Sequence, residues 1–318
     1  MSGAAESADY RAFQVAVSGG QLFGGQWRGR PVSRPPAESG RPVAVLTIHG
    51  ITASHRSFSW LATALPGHRV IAPDLRGRAR SNSLPGPYAL RAQADDMVAV
   101  LDGLGVERVI VVGHSMGAFV AVWLAHRFPD RVDSLVLVDG GLPIARQPGV
   151  EPISMLGPAA ARLSTTFANS ADYTEFWRRH PAFADDWSPG VADFARYDLD
   201  GAPFALRPST RLEAVGENVL QLDGADGYAE ALASVTAPID FLRAPRGLLN
   251  EPAALYDPSV VAAVRERLPA LRVHEIDDVN HYTIVMSAHG AERVASVITA
   301  PDRTEPARTA PVGTAPSH

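Results

Sequence analysis

The part of the chain that decides the fold is residues 109–117, Val109-Ile110-Val111-Val112-Gly113-His114-Ser115-Met116-Gly117. A continuous apolar run ends here in Gly-x-Ser-x-Gly, and the apolar residues 118–125 follow with the pattern of a buried helix. The order predicts a strand, a sharp turn and a helix. Glycine is needed two positions before and after the serine, because a side chain there would collide with the tightly folded backbone. The turn therefore predicts an exposed Ser115 hydroxyl beside helix N–H groups that stabilise negative charge.

Strands and helices alternate on both sides of this turn. A hairpin is predicted from two short strands, 13–17 and 21–27, around Gly19-Gly20. Further strands are predicted at 43–48, 68–72, 134–138, 239–243 and 271–276, and helices at 58–65, 90–104, 259–268 and 291–298. The strand 43–48 is almost wholly apolar, which is typical of a parallel sheet covered on both faces. The alternation predicts an α/β fold with a mostly parallel sheet.

Between residues 142 and 236 the pattern changes. Proline and aromatic residues are frequent, no strong strand appears, and short amphipathic helices are predicted at 171–180 and 191–197. This segment is predicted to be a helical cap inserted into the core, and the last residues, rich in Pro, Thr and Ala, a disordered tail. The first part of the core is predicted at residues 1–142 and the cap at 143–236. The second part of the core is predicted at 237–299 and the tail at 300–318.

The turn at Ser115 and its flanking elements make the chain resemble the α/β-hydrolase family, and the resemblance runs from about residue 10 to about residue 300. It implies a twisted, mostly parallel central sheet flanked by helices, with Ser115 as the nucleophile. Serine is a poor nucleophile at neutral pH, so it needs a base and a third group that orients the base. His281 is the predicted base, because it lies in the loop after the last strand, where the family carries its histidine.

The other histidines have simpler interpretations. His49 and His114 belong to loops that shape the backbone, while His126, His180 and His289 lie on predicted helices.

The acid departs from the commonest pattern of the family. Most members carry it after the strand that follows the cap, but residues 241–249 contain no carboxylate. The related dehalogenases carry it at the end of the strand after the turn helix, and Asp139 stands at that position. Asp139 is therefore the predicted acid. The alternatives are Glu251 and the two carboxylates that precede His281, Asp277 and Asp278, although these two would have to reach back to the far side of the imidazole.

The resemblance also implies an oxyanion hole. Its donors would be the backbone N–H groups of Met116, directly after the nucleophile, and of Ile51, directly after His49-Gly50. The loop 74–81 resembles the family loop after the fourth strand, with Ala79 where a second glycine is usual, and it is predicted to be structural. No phosphate-binding glycine loop, histidine-rich metal cluster or acidic calcium loop occurs in the sequence, so no cofactor and no metal are predicted.

Composition limits the function classes. The chain has 318 residues, 46% of them hydrophobic, which is enough for a full core. Cysteine is absent, which excludes disulfides, thiolate metal sites and a cysteine nucleophile. The net charge is −5 with no lysine and no basic patch, so nucleic acid is not an expected partner. Neither a membrane span nor a secretory signal is predicted, and a cytoplasmic protein of a high-GC bacterium is expected.

The predicted cap is rich in aromatic residues, most of which are expected to form its own small core. A few should face Ser115, since a cap over a sheet edge creates an apolar cleft. His114, Trp177 and Tyr282 are the predicted substrate contacts, and the expected partner is a hydrophobic ester, lactone or thioester. C–C bond hydrolysis, perhydrolysis, acyl transfer and non-catalytic ligand binding stay open, because each is compatible with the same residues. The sequence does not indicate an oligomeric state.

Overall fold

The computed structural model describes residues 10–29, 44–146, 149 and 158–300. The strands of these residues are β1 (Tyr10–Val17), β2 (Gly20–Trp27), β3 (Ala44–Ile48), β4 (Arg69–Pro73), β5 (Val109–His114), β6 (Val132–Val138), β7 (Leu199–Asp200), β8 (Arg207–Pro208), β9 (Ile239–Arg243) and β10 (Arg272–Glu275). The α-helices are α1 (Ser59–Ala64), α2 (Leu90–Gly103), α3 (Met116–Arg127), α4 (Pro158–Leu163), α5 (Ser170–Arg178), α6 (Pro189–Tyr197), α7 (Leu212–Val219), α8 (Tyr228–Ser234), α9 (Pro258–Arg267), α10 (Thr283–Met286) and α11 (Ala288–Ile298).

The central element is an eight-stranded sheet in the order β1-β2-β4-β3-β5-β6-β9-β10. The pairs β1–β2 and β2–β4 are antiparallel, and every pair from β4 to β10 is parallel. All residues of β3, β5 and β9 are buried, as expected for strands with helices on both faces. Because β5 lies between β3 and β6, Ser115 emerges at the carboxyl edge in the middle of the sheet.

Two hydrophobic cores cover the two faces of the sheet. Alternate side chains of β5 separate between them, since Val109 and Val111 pack in one cluster, and Ile110 and Val112 in the other. The first cluster contains buried residues of α2, α3 and α8, and the second those of α1, α10 and α11. Residues 116–125 of α3 are all buried, which explains their continuous apolar sequence.

The predicted fold class is confirmed: a mostly parallel sheet is flanked by helices, and α4–α8 are inserted between β6 and β9. The insertion also contains the short hairpin β7–β8, which the sequence did not predict because two-residue strands have no readable alternation. The predicted boundaries 1–142, 143–236 and 237–299 stay predictions, and the predicted tail lies outside the described residues except for Ala300. Across the described part of the chain, no helix is long and apolar enough to cross a bilayer.

Candidate active site

Ser115 lies at a strained turn between β5 and α3. Its φ is 54° and its ψ −126°, a conformation that side-chain-bearing residues rarely adopt. The turn is held by hydrogen bonds from Ser115 N to the Val138 carbonyl (3.0 Å) and from Ala118 N to the Ser115 carbonyl (3.0 Å). A Cβ atom at Gly113 would lie 2.4 Å from Ala118 Cα, and one at Gly117 would lie 2.0 Å from the Ile48 carbonyl oxygen. Both glycines are therefore required by backbone packing, as the sequence pattern predicted.

Replacement of Gly117 by alanine is expected to destabilise the protein by about 3 kcal/mol or more, because the colliding atoms are backbone and cannot move aside. Gly216→Ala is the matched control. Gly216 lies inside α7 with nothing within 4 Å of the added Cβ, so alanine there should stabilise the protein by about 1 kcal/mol. Urea unfolding of both variants measures the difference. Equal stability of the two would contradict the packing described at the turn.

Asp139 follows β6, the strand beside β5, and is completely buried. Its Oδ2 atom lies 2.7 Å from His281 Nδ1, and its Oδ1 atom accepts a hydrogen bond from Ala244 N at 3.3 Å. A carboxylate only accepts, so His281 Nδ1 carries the proton and His281 Nε2 presents its lone pair. The backbone at Asp139 has a φ of 43°. Gly140 follows it, where a Cβ would lie 2.1 Å from the Ser115 carbonyl oxygen.

The alternative acids lie elsewhere. Asp277 and Asp278 are exposed in the loop before His281, and the exposed Glu251 accepts a hydrogen bond from Leu249 N at 2.6 Å. None of these three makes a hydrogen bond with the His281 ring.

The loop that carries His281 is fixed from several directions. His281 N donates to the Arg246 carbonyl (3.1 Å), and the His281 carbonyl accepts from His114 Nε2 (2.8 Å). The buried Asn280 shapes the turn, because its Oδ1 accepts from the backbone N–H groups of Tyr282 (2.9 Å) and Thr283 (3.0 Å). The imidazole is thus held in one orientation by its backbone as well as by Asp139.

The two predicted oxyanion donors flank Ser115. Met116 is the first residue of α3, where the N–H has no partner within the helix. The Gly50 carbonyl, which shares a peptide unit with Ile51 N, accepts from His49 Nδ1 (2.8 Å) and Ala53 N (3.2 Å). Because a peptide unit is planar, these bonds also orient the Ile51 N–H. A Cβ at Gly50 would lie 3.2 Å from Ser115 Cβ, so this loop passes directly beside the serine.

His49 and His114 are buried and electrically neutral. Burial lowers the pKa of His49 to about 4. Burial, together with the neighbouring His281, lowers the pKa of His114 to about 3. The carbonyl partners of the two rings place the protons on His49 Nδ1 and His114 Nε2. Neither residue serves as a base at neutral pH, since each is already committed to holding a loop.

The pKa of His114 predicts a pH-dependent stability. Its folded-state pKa lies below that of an unfolded histidine, so the unfolded chain binds the proton first as the pH falls. The stability that the neutral His114 contributes to the folded protein is fully present above about pH 6.5 and decreases as the pH falls below that value. When the pH is lowered from about 7 to about 4.5, the free energy of unfolding should fall in both proteins. The fall in His114→Gln should be roughly 2–3 kcal/mol smaller than the fall in the wild type. Urea unfolding at both pH values tests this, and equal losses would show that His114 titrates normally.

Ser115 and His281 line one cavity of about 1020 Å³, including its open mouth. His114, Tyr282 and Ile51 also line it. The wall is mainly apolar and comes from both hydrophobic clusters. Val219 and Leu222 belong to the first cluster, and Phe194, Tyr282 and Met286 belong to the second. Arg146 and Asp223 form an ion pair of 2.6 Å in the wall. Within the described residues, no cluster of His, Asp and Glu side chains could hold a metal ion.

The assignment of Trp177 to the substrate wall is corrected by its position. The Trp177 side chain is only 1% exposed and does not line the cavity. It packs edge-to-face on Phe194 (5.5 Å between centroids) and Tyr282 (5.9 Å), both of which do line it. Trp177 therefore lies behind the wall and supports it through Phe194 and Tyr282. Its large aromatic side chain stabilises the insertion because it is fully buried.

Part of the sequence is similar to known proteins. Residues 43–191 match a family model described as alpha/beta hydrolase fold. Lipase LipV of Mycobacterium tuberculosis is 45% identical over 98 residues, which are 31% of this chain and 37% of the lipase. The chain has the α/β-hydrolase fold. The matched segment covers only about a third of that relative, so the relative's activity is not transferred by the match.

Solved structures of other proteins have the same fold over nearly the whole chain. The crystal structure of E-2-(acetamidomethylene)succinate hydrolase superposes with a TM-score of 0.72 at 22% identity, covering 91% of this chain and 98% of the other. The thioesterase domain from the curacin biosynthetic pathway gives a TM-score of 0.69 at 21% identity, covering 91% and 99%. At these identities the likeness shows the fold alone.

Proposed function

We propose that this α/β hydrolase is a serine hydrolase that cleaves a hydrophobic small-molecule ester, lactone or thioester through an acyl-serine intermediate. The observation that carries the proposal is the 2.7 Å contact of Asp139 Oδ2 with His281 Nδ1, on a histidine that lines the same cavity as Ser115. This is the arrangement that an acid, a base and a nucleophile need in acyl transfer. The name of the sequence relative, a lipase, supports hydrolysis in general.

In the proposed first step, Ser115 Oγ attacks the substrate carbonyl carbon while His281 Nε2 accepts the hydroxyl proton. The carbonyl oxygen becomes an oxyanion, which the N–H groups of Ile51 and Met116 stabilise, each contributing about 3 kcal/mol in such enzymes. Collapse of the tetrahedral intermediate breaks the bond to the leaving group. The leaving alcohol or thiol takes the proton from His281, and Asp139 stabilises the imidazolium between these transfers.

In the proposed second step, a water molecule takes the place of the leaving group. His281 Nε2 accepts one of its protons as the water oxygen attacks the acyl carbon. A second oxyanion forms and collapses, the Ser115–acyl bond breaks, and His281 returns the proton to Ser115 Oγ. The products are a carboxylic acid and the free enzyme, so no cofactor enters the balance.

The apolar wall supports the substrate class. Val219, Leu222, Phe194 and Met286 favour uncharged, hydrophobic groups, because apolar surface gains free energy on leaving water. His114 and Tyr282 are the proposed polar contacts of the substrate. A cytoplasmic location stays a prediction.

A panel of p-nitrophenyl butyrate, a lactone and a thioester, with products identified by mass spectrometry, tests the proposal. We expect turnover of at least one of them with release of the free acid. A folded protein that binds such compounds but hydrolyses none would instead indicate a ligand receptor on the same fold. Transfer of the acyl group to an added alcohol in preference to water would indicate an acyltransferase.

A further inference from the structure

Arg78 is a buried cation that the proposed mechanism leaves without a role. Its side chain is 0% exposed, and no ion pair to it occurs within the described residues. Its hydrogen-bond acceptors in the described part of the chain are neutral, and the shortest of these contacts is from Nη2 to Asn218 Oδ1 (2.6 Å). Burial lowers the pKa of the guanidinium to about 9, so it still carries its charge at neutral pH. Glu217 acts on this charge through space, without a direct ion pair. A buried charge without a directly paired counter-ion costs stability, and such costs are concentrated at functional sites.

The acceptors of Arg78 lie behind the predicted oxyanion hole. Arg78 Nε donates to the Ile51 carbonyl at 3.1 Å, and Nη2 lies 3.8 Å from Met116 Sδ. The Ile51 carbonyl belongs to the peptide unit that follows Ile51, while the preceding unit is held through Gly50 by His49. With both planar units held, the direction of the Ile51 N–H is fixed. The guanidinium thus contacts both residues whose N–H groups are the predicted oxyanion donors.

A second arginine in the same loop provides a comparison. Arg76 is 3% exposed and forms a buried ion pair with Asp96, from Nε to Oδ2 at 2.6 Å. Its other acceptors are the carbonyls of Pro85 and Ser18, and none of its described hydrogen bonds goes to Ile51 or Met116. Arg76 has the ordinary features of a structural arginine, whereas Arg78 has a charge without a direct ion pair and contacts on both sides of Ser115.

We propose that Arg78 is a positioning residue for the oxyanion hole: its guanidinium holds the Ile51–Thr52 peptide unit and contacts the Met116 side chain, so that the Ile51 N–H points at the developing oxyanion beside the Met116 N–H. The inference rests on the proposed function, since it requires an oxyanion to form at Ser115. The contacts of Arg78 with Asn218 and the Ala214 carbonyl, both on α7, also join the insertion to this loop. Binding of substrate before the reaction does not depend on the arrangement, but the transition state does.

The test is hydrolysis of p-nitrophenyl butyrate by Arg78→Gln and Arg78→Lys, with active sites counted by fluorophosphonate labelling. We expect kcat per labelled site to fall about tenfold or more in Arg78→Gln and less in Arg78→Lys, with KM within about threefold of wild type. The affinity for butylboronic acid, whose serine adduct is tetrahedral and anionic, should fall by a similar factor. Arg76→Gln, which leaves Asp96 unpaired, should lower the melting temperature but keep kcat per labelled site.

The outcomes separate the two proposals. If Arg78→Gln keeps the wild-type kcat per labelled site within about twofold, Arg78 is only structural and the inference is overturned. If neither variant folds, Asn218→Ala, which removes the shortest hydrogen bond of the guanidinium, is measured in the same way, and an unchanged kcat there also overturns it. If the wild type is neither labelled nor active on any acyl substrate, the proposed function itself has failed, and the inference fails with it.

Discussion

Ser115→Ala is expected to abolish covalent labelling by a fluorophosphonate and to lower kcat by about 10⁴-fold to 10⁶-fold on any ester that the wild type hydrolyses. The reason is chemical, because the Oγ atom that would form the acyl bond is absent. Binding of an uncharged substrate should change little, since the cavity wall is otherwise the same. Mass spectrometry of the intact protein measures the labelling, and initial rates measure the loss of activity.

The matched control is Ser54→Ala. Ser54 lies in the loop that follows Ile51, is completely buried, and its hydroxyl has no hydrogen-bond partner among the described residues. Its removal should leave both labelling and hydrolysis close to wild type. Labelling that persists in Ser115→Ala, or that disappears in Ser54→Ala, would show that Ser115 is not the reactive serine.

The sheet could be predicted from the sequence because its strands are locally unambiguous. Residues 109–114 are apolar up to a glycine and are followed by a helix with no polar face. This pattern is typical of a strand and a helix that are both buried in the interior of an α/β fold. The hairpin β7–β8 and the four-residue helix α10 were not predicted, because elements this short have no period to read. Their positions depend on packing between distant parts of the chain.

The candidate site could be predicted where a motif sits at the end of an element. The topology of the sheet brings three side chains to one edge, because Ser115 follows β5, Asp139 follows β6 and His281 lies in the loop after β10. The requirement for glycine at position 140 could not be predicted in the same way. It arises because the backbone of Ser115, in the turn after the neighbouring strand, leaves no space for a side chain there.

The supporting residues depend on contacts between segments far apart in sequence. Arg78 stands in a loop that was interpreted as structural, and its contact with Asn218 spans 140 residues. No local pattern indicates such a pairing. Trp177 is the reverse case, because it was predicted to contact the substrate and lies behind the cavity wall instead. The sequence does not tell whether an aromatic residue of the insertion lines the cavity or lies in the layer behind it.

Asp139→Asn is expected to lower kcat by about 10³-fold to 10⁴-fold while keeping the fold. The substituted amide is nearly isosteric with the carboxylate, and its oxygen could still accept the hydrogen bond from Ala244 N. The amide nitrogen would then face His281 Nδ1 in place of Oδ2 and would act as a donor. His281 would carry its proton on Nε2, so it could no longer accept the proton of Ser115, and the imidazolium would lose its negative partner.

The comparison that decides the acid uses Asp277→Asn, Asp278→Asn and Glu251→Gln. These three side chains are exposed and make no hydrogen bond with the His281 ring, so each change should alter kcat by less than about threefold. All four substitutions exchange a carboxylate for an amide of the same shape, and a selective loss therefore reports proton placement and charge rather than packing. Near-normal rates in Asp139→Asn, together with collapse in one of the other three, would assign the acid to the later loops. Loss confined to Asp139→Asn would leave the strand end after β6 as its place, because Asp139 is the carboxylate among the described residues that contacts His281 Nδ1.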